Sequence, residues 1–441
     1  MAEWQNILNL MKNSSMKNYR SRIVDSVLRR KLAGKGAVLI EGPKWCGKTT
    51  TAEQAAKSVL YLSDPLQLQR YKIDADMSLS GFLEGDTPHL IDEWQLIPKI
   101  WDSVRYEVDH RKELGQFILT GSAVPAKLDD INHTGTGRFA GLRMRPMTLF
   151  ESGDSTGNVS LKSLFETEDI KVSGNATLDL KSIAFLMCRG GWPRAVDIED
   201  QQIAIDQSYD YVDAVAESDL TRVDGIKKNA ERVRRILKAY ARHQGSQVSL
   251  SVLLDDIKTN ENESISDITL GTYLTSLKKI FMVEDMPAWN PNLRSKTAIR
   301  TADTRYFVDP SIATAALGVG PNDLLEDLNT MGLLFETMAV RDLRVYAEPL
   351  DGKVYHFRDK NGLECDTVVH LRNGKYGLIE IKLGGETLIE EGAKSLISLA
   401  GKIDTDKMKT PSFLMVLTAN GAFPYRRQDG VYVVPIGCLK D

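Results

Sequence analysis

The sequence predicts a multidomain α/β protein in three parts: a nucleotide-binding parallel-sheet domain over residues 1–175, a largely helical region over 176–315, and a second α/β domain over 316–441. Three observations carry that expectation. A complete phosphate-loop pattern lies near the N-terminus, short apolar runs alternate with helical stretches behind it, and a strand-rich segment with sharp turns closes the chain. At 441 residues the chain is too long for one ordinary hydrophobic core.

Residues 37–50 read as a buried strand, a glycine-bounded loop and a helix start, with the pattern G-x-x-x-x-G-K-T. The loop runs through Gly42, Pro43, Lys44, Trp45, Cys46, Gly47, Lys48, Thr49 and Thr50. Its glycines let backbone N–H groups turn inward, and the following helix points its positive end at the same place. A polyphosphate such as ATP is the expected occupant. Lys48 is expected to reach the β- and γ-phosphates, and Thr49 to offer its hydroxyl to the accompanying Mg²⁺.

Apolar runs at 58–62, 89–93 and 116–120 alternate with helical or loop sequence, which implies a parallel sheet. In the second run Asp92 and Glu93 stand where a buried strand emerges. Asp92 is expected to hold Mg²⁺ through water, and Glu93 to act as base or water-orienting group. Ser122, ending the next run, is the candidate sensor of the γ-phosphate. Arg138, Arg143 and Arg145 follow in a glycine-rich stretch and are candidates to neutralise transition-state charge, in the same subunit or a neighbour's. Arg138 is favoured because flanking Gly135 and Gly137 would let its loop reach a ligand.

The net charge of -4 argues against a general attraction to nucleic acid, so such binding must come from local basic patches. Two exist. Residues 17–35 carry Lys17, Arg20, Arg22, Arg29, Arg30, Lys31 and Lys35 against Asp25, and residues 222–242 hold a second basic run. Each is either a solvated helix face or a contact surface. Cys46, Cys188, Cys365 and Cys438 are far apart and form no C-x-x-C pair, which suggests a reducing compartment. No apolar run of transmembrane length and no secretory signal pattern occurs, so a cytoplasmic location with no membrane partner is expected.

Residues 19–25, 41–50, 91–95, 119–123, 144–147 and 150–151 together resemble an uncharacterised family of bacterial and archaeal ATPases. The resemblance continues through Gly190, Gly191, Trp192 and Pro193 and into the last third of the chain. It implies an AAA-type ATPase at the N-terminus, for which a carboxylate at the place of Glu93 marks ATP hydrolysis, and a C-terminal region of unknown function. A homo-oligomer is an expected partner state.

Residues 152–180 are rich in Ser, Gly, Asn and Thr, the composition of a loop or insertion. A helix over 222–242 follows, with Val233, Ile236, Leu237 and Tyr240 on one stripe and Arg234, Lys238 and Arg242 in an i, i+4 row. Helices over 249–257 and 267–280 come next. Residues 281–284 then pair with 304–308 across a loop containing Arg294, Lys296 and Arg300. Three helices and a β-wing suggest a winged helix, whose helix 267–280 would face DNA through Thr269, Thr272, Thr275, Lys278 and Lys279.

The last part reads as helix 328–344, strands 353–357, 363–370 and 375–381, helix 388–400 and strand 413–417, with hairpin turns at 359–362 and 372–375. Asp366, Glu380 and Lys382 make D-x13-E-x-K, and period-2 geometry sets Glu380 and Lys382 on one face. The pattern resembles the PD-(D/E)-x-K nuclease superfamily, with Glu336 on the leading helix and Cys365 where proline commonly stands. The resemblance implies that Asp366 and Glu380 bind Mg²⁺, that Lys382 orients or activates water, and that Glu336 supports the metal site. The expected function is an ATP-driven switch controlling a nuclease-like half acting on DNA or another nucleic acid. The alternatives are a non-catalytic ATP-dependent interaction protein with a degenerate nuclease fold, and a chaperone-like machine.

Overall fold

In the computed structural model the described residues are 19–123, 135–167, 170–220, 228–258, 265–290, 302–406 and 408–441. Lys17, Arg222, Lys227, Arg294, Lys296 and Arg300, all assigned to basic segments from the sequence, lie outside them.

Five parallel strands form the first sheet: β1 (Ala37–Glu41), β2 (Ser58–Tyr61), β3 (His89–Asp92), β4 (Phe117–Gly121) and β5 (Phe139–Arg143). Their order is β2-β3-β4-β1-β5, so β4 lies between the strand that enters the phosphate loop and the strand that carries the acids. Alternation sends successive side chains to opposite faces. Val38, Ile40, Leu90 and Ile118 join a core with Val27 and Leu28 of helix Val24–Leu32. Ala37, Ile91, Phe117 and Leu119 pack against Ile100 and Val104 of helix Ile100–Arg111. With both faces covered, β3 and β4 are buried along their whole length, which explains their unbroken apolar runs.

Residues 152–180, expected to be a loop, contain strand β6 (Val159–Ser160) and helix Leu161–Glu166. The Ser- and Gly-rich composition masks Val159, Leu161, Leu164 and Phe165, all of which are buried. β6 pairs in parallel with β13 (Leu439–Lys440), which ties the end of the ATP-binding part to the last strand of the chain.

The middle region contains helices Leu180–Arg189 and Gln201–Ala214, the latter running into a π-helical turn at Val215–Asp219. Helices Ala230–Arg242, Leu250–Lys258 and Asp267–Lys279 follow. The apolar stripe Val233, Ile236, Leu237 and Tyr240 is buried as its spacing predicts. Antiparallel pairing brings the Glu284 N–H to the Tyr306 carbonyl (2.9 Å) and the Met286 N–H to Thr304 (2.8 Å). The basic row is largely engaged within the chain: Arg234 pairs with Asp213 and Glu217, and Arg242 with Asp256. Similarly, Arg20 pairs with Asp197 and Arg30 with Asp351, so much of the first basic patch serves packing. On helix Asp267–Lys279, Thr272 and Thr275 donate to the Ile268 and Gly271 carbonyls one turn back, and Lys278 pairs with Asp285.

The second large sheet has the order β11-β12-β10-β9-β8-β7. Strands β7 (Gly352–Arg358), β8 (Glu364–Leu371) and β9 (Tyr376–Lys382) are consecutive antiparallel neighbours. Helix Glu386–Lys402 then crosses to β10 (Phe413–Thr418), which is parallel to β9. Strands β11 (Tyr425–Arg426) and β12 (Tyr432–Pro435), absent from the sequence reading, extend the sheet. Helix Leu328–Ala347 runs between this sheet and the middle helices, and Met338, Ala339, Val340 and Leu343 bury different sides of it.

Candidate functional site

Parallel pairing places the C-terminal ends of β1, β3 and β4 along one edge of the first sheet, and the phosphate-loop residues gather there. Gly47 caps helix Lys48–Glu53 at φ +95°, a left-handed conformation that favours glycine. At Gly42 the reason is contact: an added Cβ would lie 2.1 Å from the Met144 carbonyl oxygen. Trp45 also holds a positive φ, +66°, with its ring against Tyr211 at 5.5 Å between centroids. Lys48 is buried, and its ammonium donates to the Pro43 carbonyl at 2.8 Å.

The Thr49 hydroxyl donates to Asp92 Oδ1 at 2.7 Å, and the Thr120 hydroxyl of β4 donates to the same oxygen at 2.5 Å. Asp92 Oδ1 thus takes both donors. The Glu93 N–H is held by Thr120 Oγ1 (3.2 Å), and Glu93 Oε2 accepts from Ser122 Oγ (2.8 Å) and from the Gln95 amide. Ser122, expected to face the γ-phosphate, therefore directs its proton at Glu93.

A cavity of about 570 Å³ opens over these groups. Lys44, Trp45, Gly47, Lys48, Thr49, Thr50 and Glu93 line it together with Trp192, Pro193, Arg194 and Gln207. The last four come from the middle region. In the sequence, Gly190 through Pro193 carry only a resemblance, and no motif there marks Arg194 or Gln207 for a role. The sequence offers one local signal, the Pro193 that starts helix Pro193–Val196 directly before Arg194.

Arg22 supports the loop from beneath. Its guanidinium donates to the Cys46 carbonyl (2.8 Å), to the Arg145 carbonyl (2.8 Å) and to the buried Glu151 (3.1 Å). Lys44 of the loop pairs with Asp219 at 2.6 Å. The candidate arginines stand elsewhere. Arg145 is held by Glu284, and Arg143 lies over the Phe281 ring. Arg138 precedes β5, its carbonyl accepts from Ala37 at the start of β1, and its side chain pairs with Asp109. It occupies the edge of the sheet opposite its own phosphate loop.

A second cluster joins β8, β9 and helix Leu328–Ala347. The Lys382 ammonium lies 2.6 Å from Glu380 and 3.1 Å from Asp366, and the Ile381 N–H donates to Asp366 at 2.7 Å. Glu336 accepts from the Tyr306 hydroxyl, and Gly245 packs against its carboxylate. Burial and then the Asp366 charge push the Glu336 and Glu380 carboxyls above the usual range. Burial opposes the charge on Lys382, but the Asp366 and Glu380 carboxylates outweigh it and raise its pKa. The donor set is hard oxygen, suited in type to a divalent cation. Yet among the described residues no three His, Cys, Asp or Glu side chains group as a metal site, and the lysine stands between the carboxylates.

The parallel sheet and the phosphate loop define the N-terminal part as a P-loop NTPase-like domain within an α/β multidomain chain. Residues 34–152 match the family model of an AAA domain, residues 180–323 a domain of unknown function (DUF8612), and residues 331–439 another domain of unknown function (DUF4143). Uncharacterised proteins of Mycobacterium bovis and Mycobacterium tuberculosis are each 24% identical over 376 residues, covering 84% of this chain and 75% of theirs. Among solved structures, a Walker-type ATPase of Pyrococcus abyssi is similar with a TM-score of 0.41 and 16% identity, over 68% of this chain and 96% of that one. Among the described residues, no helix is long and apolar enough to cross a membrane.

Proposed function

We propose that this chain is a Mg²⁺-dependent ATPase whose nucleotide state controls a C-terminal nucleic-acid-binding, nuclease-like half. One observation carries the ATPase reading: Lys48, Thr49 and Glu93 border one cavity, and Thr49 donates directly to Asp92. Thr49 and Asp92 fit a magnesium ion, since a hydroxyl and a carboxylate in contact offer adjacent hard oxygens. When bound, the ion neutralises charge on the phosphates. Lys48 then orients the β- and γ-phosphates, Glu93 takes the proton of the attacking water, and Arg194, which lines the same cavity, is available to the phosphate charge. Arg138 acts on a neighbouring subunit's nucleotide.

The domain division at about residues 175 and 315, the winged-helix reading of the three helices with their antiparallel segments, and the nuclease-like reading of the last sheet belong to the same proposal. The β8–β9 pair with Asp366, Glu380 and Lys382 at its end supports the last of these. The lysine bridging the two carboxylates favours the second reading, in which this half binds nucleic acid or a protein without cutting.

The test measures ATP turnover and degradation of labelled single- and double-stranded DNA and RNA, with Mg²⁺ or Mn²⁺, for wild type, K48A, E93Q and K382A. K48A is expected to abolish nucleotide binding, and E93Q to reduce turnover by roughly 10²-fold or more while ATP still binds. Wild-type turnover in E93Q would remove Glu93 from the chemistry. Cuts lost in K382A establish the nuclease, whereas ATP turnover with no cleavage of any substrate leaves the binding module.

A further inference from the structure

Glu93 owes its orientation to a residue two positions further along the chain. Gln95 Nε2 donates to Glu93 Oε2 and lies 3.4 Å from Ser122 Oγ, which donates to that same carboxylate oxygen at 2.8 Å. Both side-chain donors therefore converge on Oε2, and neither engages Oε1, on a side chain that borders the cavity. The other end of the amide is buried, and among the described residues Gln95 Oε1 accepts no hydrogen bond. A buried amide oxygen without a donor is unfavourable, so a side chain chosen for packing alone would not be an amide here. Turning the amide over would set its oxygen against the carboxylate, which fixes the orientation. The surroundings are shaped to admit it: an added Cβ at Gly121 would lie 3.1 Å from Gln95 Oε1 and 3.1 Å from Trp94 Nε1. Glu93 itself stands at φ +57°, a left-handed conformation that aims its side chain back toward β4 and Ser122.

We infer that Gln95 is a positioning residue for ATP hydrolysis, clamping Glu93 Oε2 together with Ser122 so that only Oε1 meets the attacking water. The inference rests on the reading of Glu93 as the base. Gln95 touches neither nucleotide nor water, and binding of ATP does not depend on it.

The experiment uses the full chain and compares wild type, E93Q, Q95A and Q95E for kcat and KM of steady-state ATP turnover and for binding of ATP by equilibrium titration, with thermal melting as the check on folding. Q95A is expected to lower kcat by about tenfold to hundredfold, because a misplaced base costs that much, and to leave ATP affinity within about twofold. Q95E keeps the side-chain size but sets a carboxylate oxygen where Nε2 donates to Glu93 Oε2, so kcat is expected to fall at least as far as in Q95A while KM and ATP affinity stay within about twofold. A residue that merely packs would tolerate Q95E and would not split kcat from affinity. Wild-type kcat in Q95A or in Q95E overturns the inference. If E93Q turns over like wild type the base assignment fails first, whereas a dead E93Q beside an unaffected Q95A removes Gln95 alone. Should Q95A melt early, Q95E, which keeps the side-chain size, decides by its kcat at unchanged ATP affinity.

Discussion

Arg22 lies among apolar residues at 5% exposure, yet its guanidinium is the main support under the phosphate loop. Glu151 answers it and also accepts from the Ile23 and Thr148 backbone N–H groups, so the carboxylate is satisfied only as a set. Replacing Arg22 by alanine leaves Glu151 buried with its cation gone, which costs about 3–5 kcal/mol. Urea unfolding of R22A is expected to show that loss in its midpoint. A variant with an unchanged midpoint would mean that the pair is not structural. In the sequence Arg22 is one member of a basic run, and nothing in spacing separates it from Arg29 or Arg30, which remain at the surface. Only its position beneath Cys46 and Arg145 does so.

Helix Leu328–Ala347 links the two sites. Arg341 lies between Asp309 (2.8 Å) and Asp342 (2.7 Å), all three buried, and Asp342 accepts from the Leu149 N–H. Asp309 also holds the Gly191 N–H, next to the Trp192 that walls the nucleotide cavity. On the same helix Glu336 reaches the β8–β9 cluster. R341A strands two buried carboxylates and is expected to lose about 3–5 kcal/mol, whereas a joint D309N/R341M/D342N variant recovers most of it because no unpaired charge remains. A joint variant no more stable than R341A would count against this account. For the cluster, the folded carboxyls of Glu336 and Glu380 titrate above their unfolded range. Their contribution to stability is present at acid pH, below about 4.3, and is lost as pH rises through the elevated folded values. Melting temperature is therefore expected to fall from pH 5 to pH 9, and the fall to flatten in E380Q. An equal slope in both proteins would refute it.

Across the whole molecule, strand direction separates Arg138 from its own phosphate loop, since the two occupy opposite edges of one parallel sheet. A role for Arg138 in hydrolysis then requires a second copy. Mixing E93Q with R138A subunits, each nearly inactive alone, is expected to restore part of the turnover, because a junction between them can pair an intact Glu93 with an intact Arg138. No recovery, alongside an inactive R138A, would place its effect within one subunit. The parts of the chain also share one core: the cluster holding Val38 and Ile40 extends through Ile236, Phe335 and Met415 to Leu439. The β6–β13 pairing joins residues near the middle of the chain to its last ones.

What the sequence determined by itself is local chemistry at fixed spacing. The phosphate loop, the acids ending a buried strand, the hairpin turns and the E-x-K strand are each set by neighbours within a few residues, and period-2 alternation or glycine placement makes them legible. β6 was hidden because two residues in a polar segment carry no periodicity, and its partner lies at the far end of the chain. Tertiary structure alone decided which polar groups come together or stay apart: Ser122 with Glu93, Arg22 with Cys46, Arg194 on the cavity that Lys48 lines, and Arg138 on the edge opposite its own phosphate loop. The physical reason is that a hydrogen bond or ion pair depends on position within a few ångströms, and chain-distant residues acquire such positions only when buried apolar surfaces fix how the sheets and helices stack.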